Sequence, residues 1–304
     1  RLNQDYFDYA TGLTMTNKKF DNLFGNLPRD PEYENISQFH MDIAASIQQV
    51  TEDIIIKIAK NLRKEYEIEN LCLAGGVALN CVANGKILNE KIFKHVWIQP
   101  AAGDAGGSLG AALGYWYNEL NMERSINNTD SMKCSYLGPE YSNEKIKDIL
   151  INIGAKFETF TNDNLLDFTS EKLIEGKAVG WFQNKMEFGP RALGCRSIIG
   201  DARSPEMQKK LNLKVKFRES FRPFAPAVLL EDLKEWFDLD YVSPYMLLVG
   251  KVKESKLIDQ TPTQKLAKGL EKLDIVRSQI PAVTHVDNSA RIQTVSAENG
   301  IYYD

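Results

Sequence analysis

The sequence predicts an α/β fold, and three of its segments lead to that prediction. Residues 37–66 carry apolar side chains at intervals of three and four, which is typical of a long amphipathic helix. Residues 70–114 have the pattern of a strand, a Gly-Gly turn, a helix, a strand and a second helix. Residues 144–182 alternate helix and strand patterns. Such alternation indicates an α/β domain, and a length of 304 residues allows about two domains.

Composition limits the classes of partner. The chain has 43% hydrophobic residues and a net charge of −4 from 37 basic and 41 acidic side chains. Nucleic-acid-binding domains are usually strongly basic, so we expect no nucleic acid partner. Neither a membrane-spanning run nor a signal peptide is visible, so we expect no membrane association and a cytoplasmic location. The cysteines have no metal-type pairing, so we expect reduced, buried thiols at Cys72, Cys81, Cys134 and Cys195.

The segment after the long helix contains the first candidate ligand contacts. Residues 1–35 are polar and predict loops with short helices, whereas Asn70–Asn80 predicts a buried strand that runs into a Gly75-Gly76 turn and a helix. Backbone N–H groups at such a helix N-terminus favour a phosphate. Asn80 and Asn84 lie one helical turn apart, so they could contact one ligand or lie on a solvated face.

The next turn carries an aspartate with two possible uses. A second strand is predicted over residues 93–98, and a helix of small residues follows Asp104. Asp104 could cap that helix or could ligate a metal from the edge of a cleft. Capping is favoured on chemistry alone, because Asp is among the commonest capping residues.

A polar segment without periodicity, residues 118–132, predicts the linker between domains 1–125 and 133–304. The second domain is expected to be α/β as well. Its predicted helices are 144–153, 164–175, 205–213 and 231–238, and its predicted strands are 156–160, 178–182 and 245–250. Residues 251–279 predict an irregular charged insertion, and residues 281–295 predict two strands joined at 287–289.

The central stretch, residues 181–226, gathers cations on a rigid backbone. Arg191 and Arg196 flank a Gly-containing turn, and three further cations follow among phenylalanines and prolines: Lys216, Arg218 and Arg222. Arginine offers a planar donor fork that fits phosphate, so the stretch predicts a polyanionic ligand. Arg196 and Arg218 could instead form structural salt bridges with Glu187 or Glu219.

The same residues carry a family resemblance. Phe-Gly-Pro-Arg-Ala-Leu-Gly-Cys-Arg-Ser at 188–197 and Lys-Phe-Arg-Glu-Ser-Phe-Arg-Pro-Phe-Ala-Pro at 216–226 resemble the signature of the O-carbamoyltransferase family, which includes nodulation-factor and antibiotic carbamoyltransferases. The resemblance implies the second half of an actin-like, RNase H-like domain followed by a YrdC-like α/β domain. It also implies that this chain is incomplete at both ends, so we expect a possible homo-oligomer or other self-association.

The resemblance implies a role for each candidate residue. Three arginines would be catalytic: Arg191, Arg222 and Arg291. Five residues would bind substrate phosphate: Arg196, Lys216, Arg218, His285 and Ser289. Three would bind the nucleotide: Gly75, Gly76 and Asn80. Asp104 would ligate iron or another divalent metal, together with histidines from the first half of the domain.

The implied reaction uses ATP and carbamoyl phosphate. The second domain would form carbamoyl-adenylate, and the first would transfer the carbamoyl group to a hydroxyl of a small-molecule acceptor. Two alternatives remain open from the sequence. One is a tRNA threonylcarbamoylation enzyme, and the other is a non-catalytic nucleotide-binding module in which the arginines only hold structure.

Overall fold

The periodicity of residues 37–66 forms one long helix in the computed structural model, which describes residues 2–126 and 129–304. The chain divides into two compact units, Arg1–Val50 and Thr51–Asp304. In the first unit, α1 (Lys18–Phe24) is capped by the preceding residue, Asn17, whose side chain accepts two backbone hydrogen bonds. The predicted long helix is confirmed as α2 (Gln38–Tyr66), and the boundary between the units falls within it.

The strand–turn–helix pattern after α2 is confirmed. β1 (Asn70–Leu73) pairs in parallel with β2 (His95–Ile98), and α3 (Cys81–Asn89) connects them. α4 (Ala105–Gly114) follows β2. The expectation of buried thiols is wrong for Cys72, which is exposed because this two-stranded sheet leaves one face uncovered.

Helices and a β-hairpin-like pair open the C-terminal half. α5 (Asn143–Asn152) and α6 (Asn162–Ile174) confirm two predicted helices. The strand predicted over residues 156–160 is wrong, since that segment has no pairing partner and connects α5 to α6 irregularly. β3 (Val179–Phe182) is confirmed and pairs antiparallel with β4 (Arg196–Ile199), which the sequence did not predict.

A four-stranded sheet completes the second unit. α7 (Met207–Lys214) precedes the sheet, and the predicted helix 231–238 shortens to α8 (Leu233–Trp236). The strands are β5 (Ala227–Leu229), β6 (Phe237–Asp238), β7 (Leu248–Val252) and β8 (Ser289–Val295), in the order β5-β8-β7-β6. A short α9 (Pro262–Lys265) lies in the irregular segment before β8. The first of the two strands predicted over 281–295 is wrong, because Pro281 begins a short 3-10 turn instead.

β8 lies inside the sheet and positions one candidate residue. It pairs in parallel with β5 and antiparallel with β7. All its residues are buried except Arg291, which is half-buried. α3 packs against β7 closely, since a Cβ placed on Gly85 would lie 3.1 Å from the carbonyl oxygen of Val249. One hydrophobic core therefore includes residues from both predicted domains, among them Leu88, Leu193, Phe237 and Ile292.

The mixed α/β class is thus confirmed. The division into domains 1–125 and 133–304 stays a prediction, and two residues of the expected linker, 127 and 128, lie outside the described residues. None of the described helices combines the length and apolar character that crossing a membrane requires.

Candidate functional site

The second unit contains a cavity of about 750 Å³ that brings five of the candidate cations together. We call it the cationic cavity, and the cations that line it are Arg191, Lys216, Arg218, Arg222 and Arg291. Apolar and aromatic side chains such as Phe237, Met246 and Tyr302 complete its wall. Among the described residues that line it, none is an aspartate or a glutamate. The arrangement therefore suits a ligand that carries several negative charges.

The turn between β3 and β4 carries Arg191 into this cavity. Arg191 Nη2 donates to the carbonyl oxygen of Leu79 at 3.1 Å. Its Nε is buried without a hydrogen-bond partner in the described part of the chain. Gly194 gives the turn a backbone φ of 113°, a value that side chains with a Cβ rarely allow. A Cβ at Gly194 would also lie 2.5 Å from the Tyr302 ring, so only glycine fits there.

A buried carboxylate, Glu187, holds the same turn. Glu187 is 3% exposed. Its Oε1 accepts hydrogen bonds from the backbone N–H groups of Leu193, at 2.5 Å, and Cys195, at 2.9 Å. Its Oε2 lies 3.2 Å from Arg196 Nε in an ion pair that is not aligned as a hydrogen bond. A buried carboxylate needs such partners, because an isolated buried charge is strongly unfavourable.

Arg196 extends this network instead of lining the cavity. Its Nη2 donates to the carbonyl oxygens of Gly189 and Arg191, the latter at 3.2 Å. The guanidinium thus connects Glu187 to the opposite side of the turn. The salt bridge that the sequence left open for Arg196 is present, and its role in phosphate binding stays a prediction.

A buried amide, Asn212, organises the second group of cations. Asn212 is 0% exposed, and its Nδ2 donates to the carbonyl oxygens of Ser220 and Arg222 at 3.0 and 2.8 Å. Its Oδ1 accepts from Arg218 Nε at 2.7 Å. The Arg218 guanidinium also lies 5.1 Å from the ring centroid of Phe224. The sequence did not single out Asn212, although it lies at the end of a predicted helix.

Among the described residues, few negative groups offset the positive charges of the cationic cavity. Burial lowers the pKa of the Arg291 guanidinium, and the positive charges of Arg191 and Arg218 lower it further, against an opposing effect of Cys81. Burial and the neighbouring Arg222 likewise lower the pKa of Arg218, while Glu219 opposes them. Arginine nevertheless stays protonated at neutral pH. In the described residues, neither Arg191 nor Arg291 forms a salt bridge, so a bound anion would relieve this repulsion.

Arg222 differs from the other arginines. Its Nε donates to Oε2 of Glu219 at 2.9 Å, and both side chains are about half exposed. An exposed pair of this kind contributes little to stability. Arg222 can therefore exchange this partner for a ligand at small cost.

His285 and Ser289 lie outside the cavity lining, in a network of their own. Ser289 Oγ donates to Asp287 Oδ1 at 2.6 Å and lies 2.9 Å from His285 Nδ1. Nδ1 must then carry the hydrogen, which leaves buried Nε2 as an acceptor without a partner in the described residues. Burial lowers the pKa of His285, as do Arg291 and Lys251, against an opposing effect of Asp287. His285 thus hydrogen-bonds within its own loop, and its role in phosphate binding stays a prediction.

The candidate nucleotide-site residues also lie outside the cavity lining. No atom lies within 4 Å of a Cβ placed on Gly75 or Gly76, so the space beside this turn is open. Asn80 caps α3, because its side chain accepts from the N–H of Ala83 at 3.1 Å. The solvated face is wrong for Asn84, since it is 2% exposed and donates to backbone carbonyl groups inside the protein. A shared ligand contact with Asn80 stays a prediction.

Asp104 stands alone as a metal-ligand candidate. It precedes α4, but its side chain makes no capping hydrogen bond, so the favoured capping role is wrong. Helical backbone angles at Asp104 itself account for this, because a capping side chain needs an extended residue. Nowhere in the described residues do three or more His, Cys, Asp or Glu side chains group to hold a metal. The residues present therefore do not make up a metal site.

A second cleft, of about 780 Å³, lies between α2 and α3. Lys60 Nζ lies 2.7 Å from Glu90 Oε2, and Lys86 pairs with the buried Glu52. These lysines are neutralised within the chain. The cleft consequently attracts an anion less than the cationic cavity does.

Comparisons with known proteins identify the family of this chain. Residues 1–113 match the family model for the carbamoyltransferase N-terminus, and residues 170–304 match the one for the carbamoyltransferase C-terminus. The chain is 56% identical to protein sll1178 of Synechocystis sp., covering 100% of this chain and 50% of that protein. It is 38% identical to nodulation protein NolO of Bradyrhizobium diazoefficiens, and the match covers 88% of this chain and 45% of that protein.

A further relative has an activity in its name. The chain is 32% identical to 3'-hydroxymethylcephem-O-carbamoyltransferase of Streptomyces clavuligerus, covering 84% of this chain and 42% of that enzyme. The chain thus spans about half the length of the curated relatives that it matches.

Proposed function

Because this chain belongs to the carbamoyltransferase family, we propose that its cationic cavity binds ATP and carbamoyl phosphate and forms carbamoyl-adenylate. One observation carries the proposal: five cations line a single cavity, and no acidic side chain among its described lining residues neutralises them. ATP and carbamoyl phosphate both present phosphate groups. Binding the two together requires a concentration of positive charge of this kind.

The atoms of the proposed reaction balance in two steps. Water first cleaves carbamoyl phosphate to carbamate and inorganic phosphate. A carbamate oxygen then attacks the α-phosphorus of ATP, and pyrophosphate leaves with the electron pair of the broken P–O bond. Positioned arginines stabilise the charge that develops on the transferred phosphoryl oxygens, without any proton transfer of their own.

Three arginines are proposed as catalytic residues. Arg191 and Arg291 lack salt bridges in the described structure, so their charge is available to the phosphates. Arg222 would release Glu219 when the ligand binds. Lys216 and Arg218 would hold phosphate oxygens at the same cavity. We further propose that residues 133–304 form the YrdC-like domain of this reaction.

Carbamoyl transfer to a small hydroxyl acceptor is proposed for the whole protein. The relative named for 3'-hydroxymethylcephem suggests a hydroxymethyl or similar acceptor. Residues up to 125 would be the second half of an actin-like domain, with Gly75, Gly76 and Asn80 near the adenylate. No step is assigned to a metal, because the described residues include no group of three or more His, Cys, Asp or Glu side chains that could hold one.

The test is pyrophosphate release from ATP, with and without carbamoyl phosphate, on this chain and on the full-length protein. We expect release that depends on carbamoyl phosphate. Arg191→Met and Arg291→Met should each lower it about 100-fold or more, the usual effect of removing one charge-stabilising donor. Arg203→Met is the matched control, because Arg203 pairs with Asp201 and does not line the cavity.

Two results would contradict the proposal. Full-length protein that releases no pyrophosphate with carbamoyl phosphate would favour a nucleotide-binding module. Activity lost equally in Arg203→Met would show that the arginines act through the general charge of the protein instead of through the cavity.

A further inference from the structure

Phe217 combines two features that a structural residue does not need. Its side chain is 85% exposed to solvent, although phenylalanine is usually buried. Its backbone φ is 48°, in the left-handed region that bulky residues rarely adopt. An exposed turn residue with this φ would ordinarily be Gly, Asn or Asp. Neither packing nor turn geometry therefore explains the choice of phenylalanine.

Hydrogen bonds on both sides enforce this backbone. The N–H of Lys216 donates to the carbonyl oxygen of Leu211 at 2.9 Å, and the N–H of Arg218 donates to that of Asn212 at 3.0 Å. Both acceptors lie in the last turn and a half of α7. Phe217 is thus held between two fixed neighbours, and its ring is held out in the solvent. Strained residues that their surroundings fix in this way cluster at ligand sites.

The position of Phe217 relates it to the cationic cavity. Its two chain neighbours, Lys216 and Arg218, both line that cavity, so Phe217 lies between two of the cavity's cations along the chain, although it is not itself a lining residue. Among the described residues, no other aromatic ring or cation stacks on Phe217. An aromatic face that is open to solvent beside phosphate-binding cations fits one class of ligand, in which phosphates and a flat ring are joined.

We infer that Phe217 stacks on the base of the nucleotide whose phosphates occupy the cationic cavity. The inference rests on the proposed function, which makes that nucleotide ATP. The cations would bind the phosphate groups of any polyphosphate, whereas Phe217 would distinguish a nucleotide from a phosphate chain that has no base. Base–aromatic stacking tolerates any base, so adenine specificity would come from other contacts.

The test compares ATP with inorganic tripolyphosphate, which carries the phosphates without a base. Binding of each is measured by calorimetry to this chain and to Phe217→Gly, a variant that relieves the backbone strain and so should fold. Stacking on one aromatic side chain predicts that Phe217→Gly weakens ATP binding about 5- to 150-fold. Tripolyphosphate binding should change less than about twofold.

Two further variants sharpen the comparison. Phe217→Tyr keeps an aromatic face and should bind ATP about as well as the wild type. Tyr33→Ala removes an aromatic ring of equal exposure, 84%, far along the sequence, and should change neither affinity.

Three outcomes would overturn the inference. The wild type could fail to bind ATP at all. Phe217→Gly could keep full ATP affinity, or it could lose both ligands equally, which would indicate a backbone effect. Carbamoyl phosphate is absent from the assay, so base stacking can hold even where the proposed carbamoyl-adenylate reaction fails.

Discussion

Replacing Arg291 with methionine should stabilise the protein when no anion is present. Arg291 is the one residue of β8 that is not buried, and its guanidinium faces Arg191 and Arg218 without a salt bridge in the described structure. Burial and these positive charges both disfavour the charged side chain in the folded state. Methionine has a similar length, is apolar and adapts to irregular space.

The size of the effect follows from the position of the side chain. Replacing a buried ion pair by apolar residues of similar volume is often neutral or stabilises a protein by about 1–4 kcal/mol, and in the described structure Arg291 has no ion-pair partner to lose. Arg291 is half-buried beside a water-accessible cavity, so we expect the lower end, about 1 kcal/mol. For a unit of this size, 1 kcal/mol corresponds to a rise in Tm of about 2 °C.

Pyrophosphate should reverse the order of stability. An anion at 100 times its Kd stabilises the wild type by about 2.7 kcal/mol, and the variant should gain much less. The assay is urea unfolding followed by tryptophan fluorescence, in chloride buffer and then with pyrophosphate. Arg203→Met is the control and should respond to pyrophosphate as the wild type does.

One result would refute the reasoning. If Arg291→Met lost more than about 1 kcal/mol in chloride buffer, the guanidinium would be holding the fold together. The absence of a salt bridge would then be no sign of an anion site, and the proposed role of Arg291 would lose its main support.

Three other predictions are tested by unfolding measurements or by thiol labelling. Gly194→Ala should destabilise the protein by about 3 kcal/mol through backbone strain and steric overlap, whereas Gly180→Ala, in open space, should change stability by less than 1 kcal/mol. The lowered pKa of His285 means that the unfolded state binds its proton more readily, so the stability it contributes is present above about pH 6.5 and is lost as the pH falls below that value. His285→Gln should make the loss of stability below about pH 6.5 less steep. If the pH dependence of stability were unchanged in this variant, other groups would be responsible for it. Burial and Glu187 raise the pKa of the Cys195 thiol to about 11, so iodoacetamide at pH 8 should label exposed Cys72 and leave Cys195 intact until the protein unfolds.

Local patterns predicted the elements whose causes are local. α2 and α5 follow from apolar periodicity, and the β1–α3–β2 order follows from an apolar run, a glycine turn and a helix pattern. The cations of the cavity were visible as a cluster because most of them lie within one stretch of sequence. Arg291 lies far from them along the chain, and only the family resemblance connected it with the others.

Strands failed where their partners decided the outcome. Residues 156–160 have strand-like composition but no neighbour to pair with. β4 begins with the polar residues Arg196 and Ser197, yet it pairs with β3 along its whole length. Pairing is a non-local event, so composition within a short window cannot determine it.

The sequence offered Glu187 only as a salt-bridge partner for Arg196 and did not single out Asn212, and the reason lies in how the two residues act. Glu187 and Asn212 are buried, and their polar atoms are occupied by the backbone and guanidinium groups of two separate loops. Each fixes a loop through contacts that only the folded chain creates. Because Glu187 is committed to Arg196 and the turn, it does not neutralise Arg191. The same contacts that hold the loops in place thereby leave positive charge in the cavity, which is the condition that a polyphosphate ligand requires.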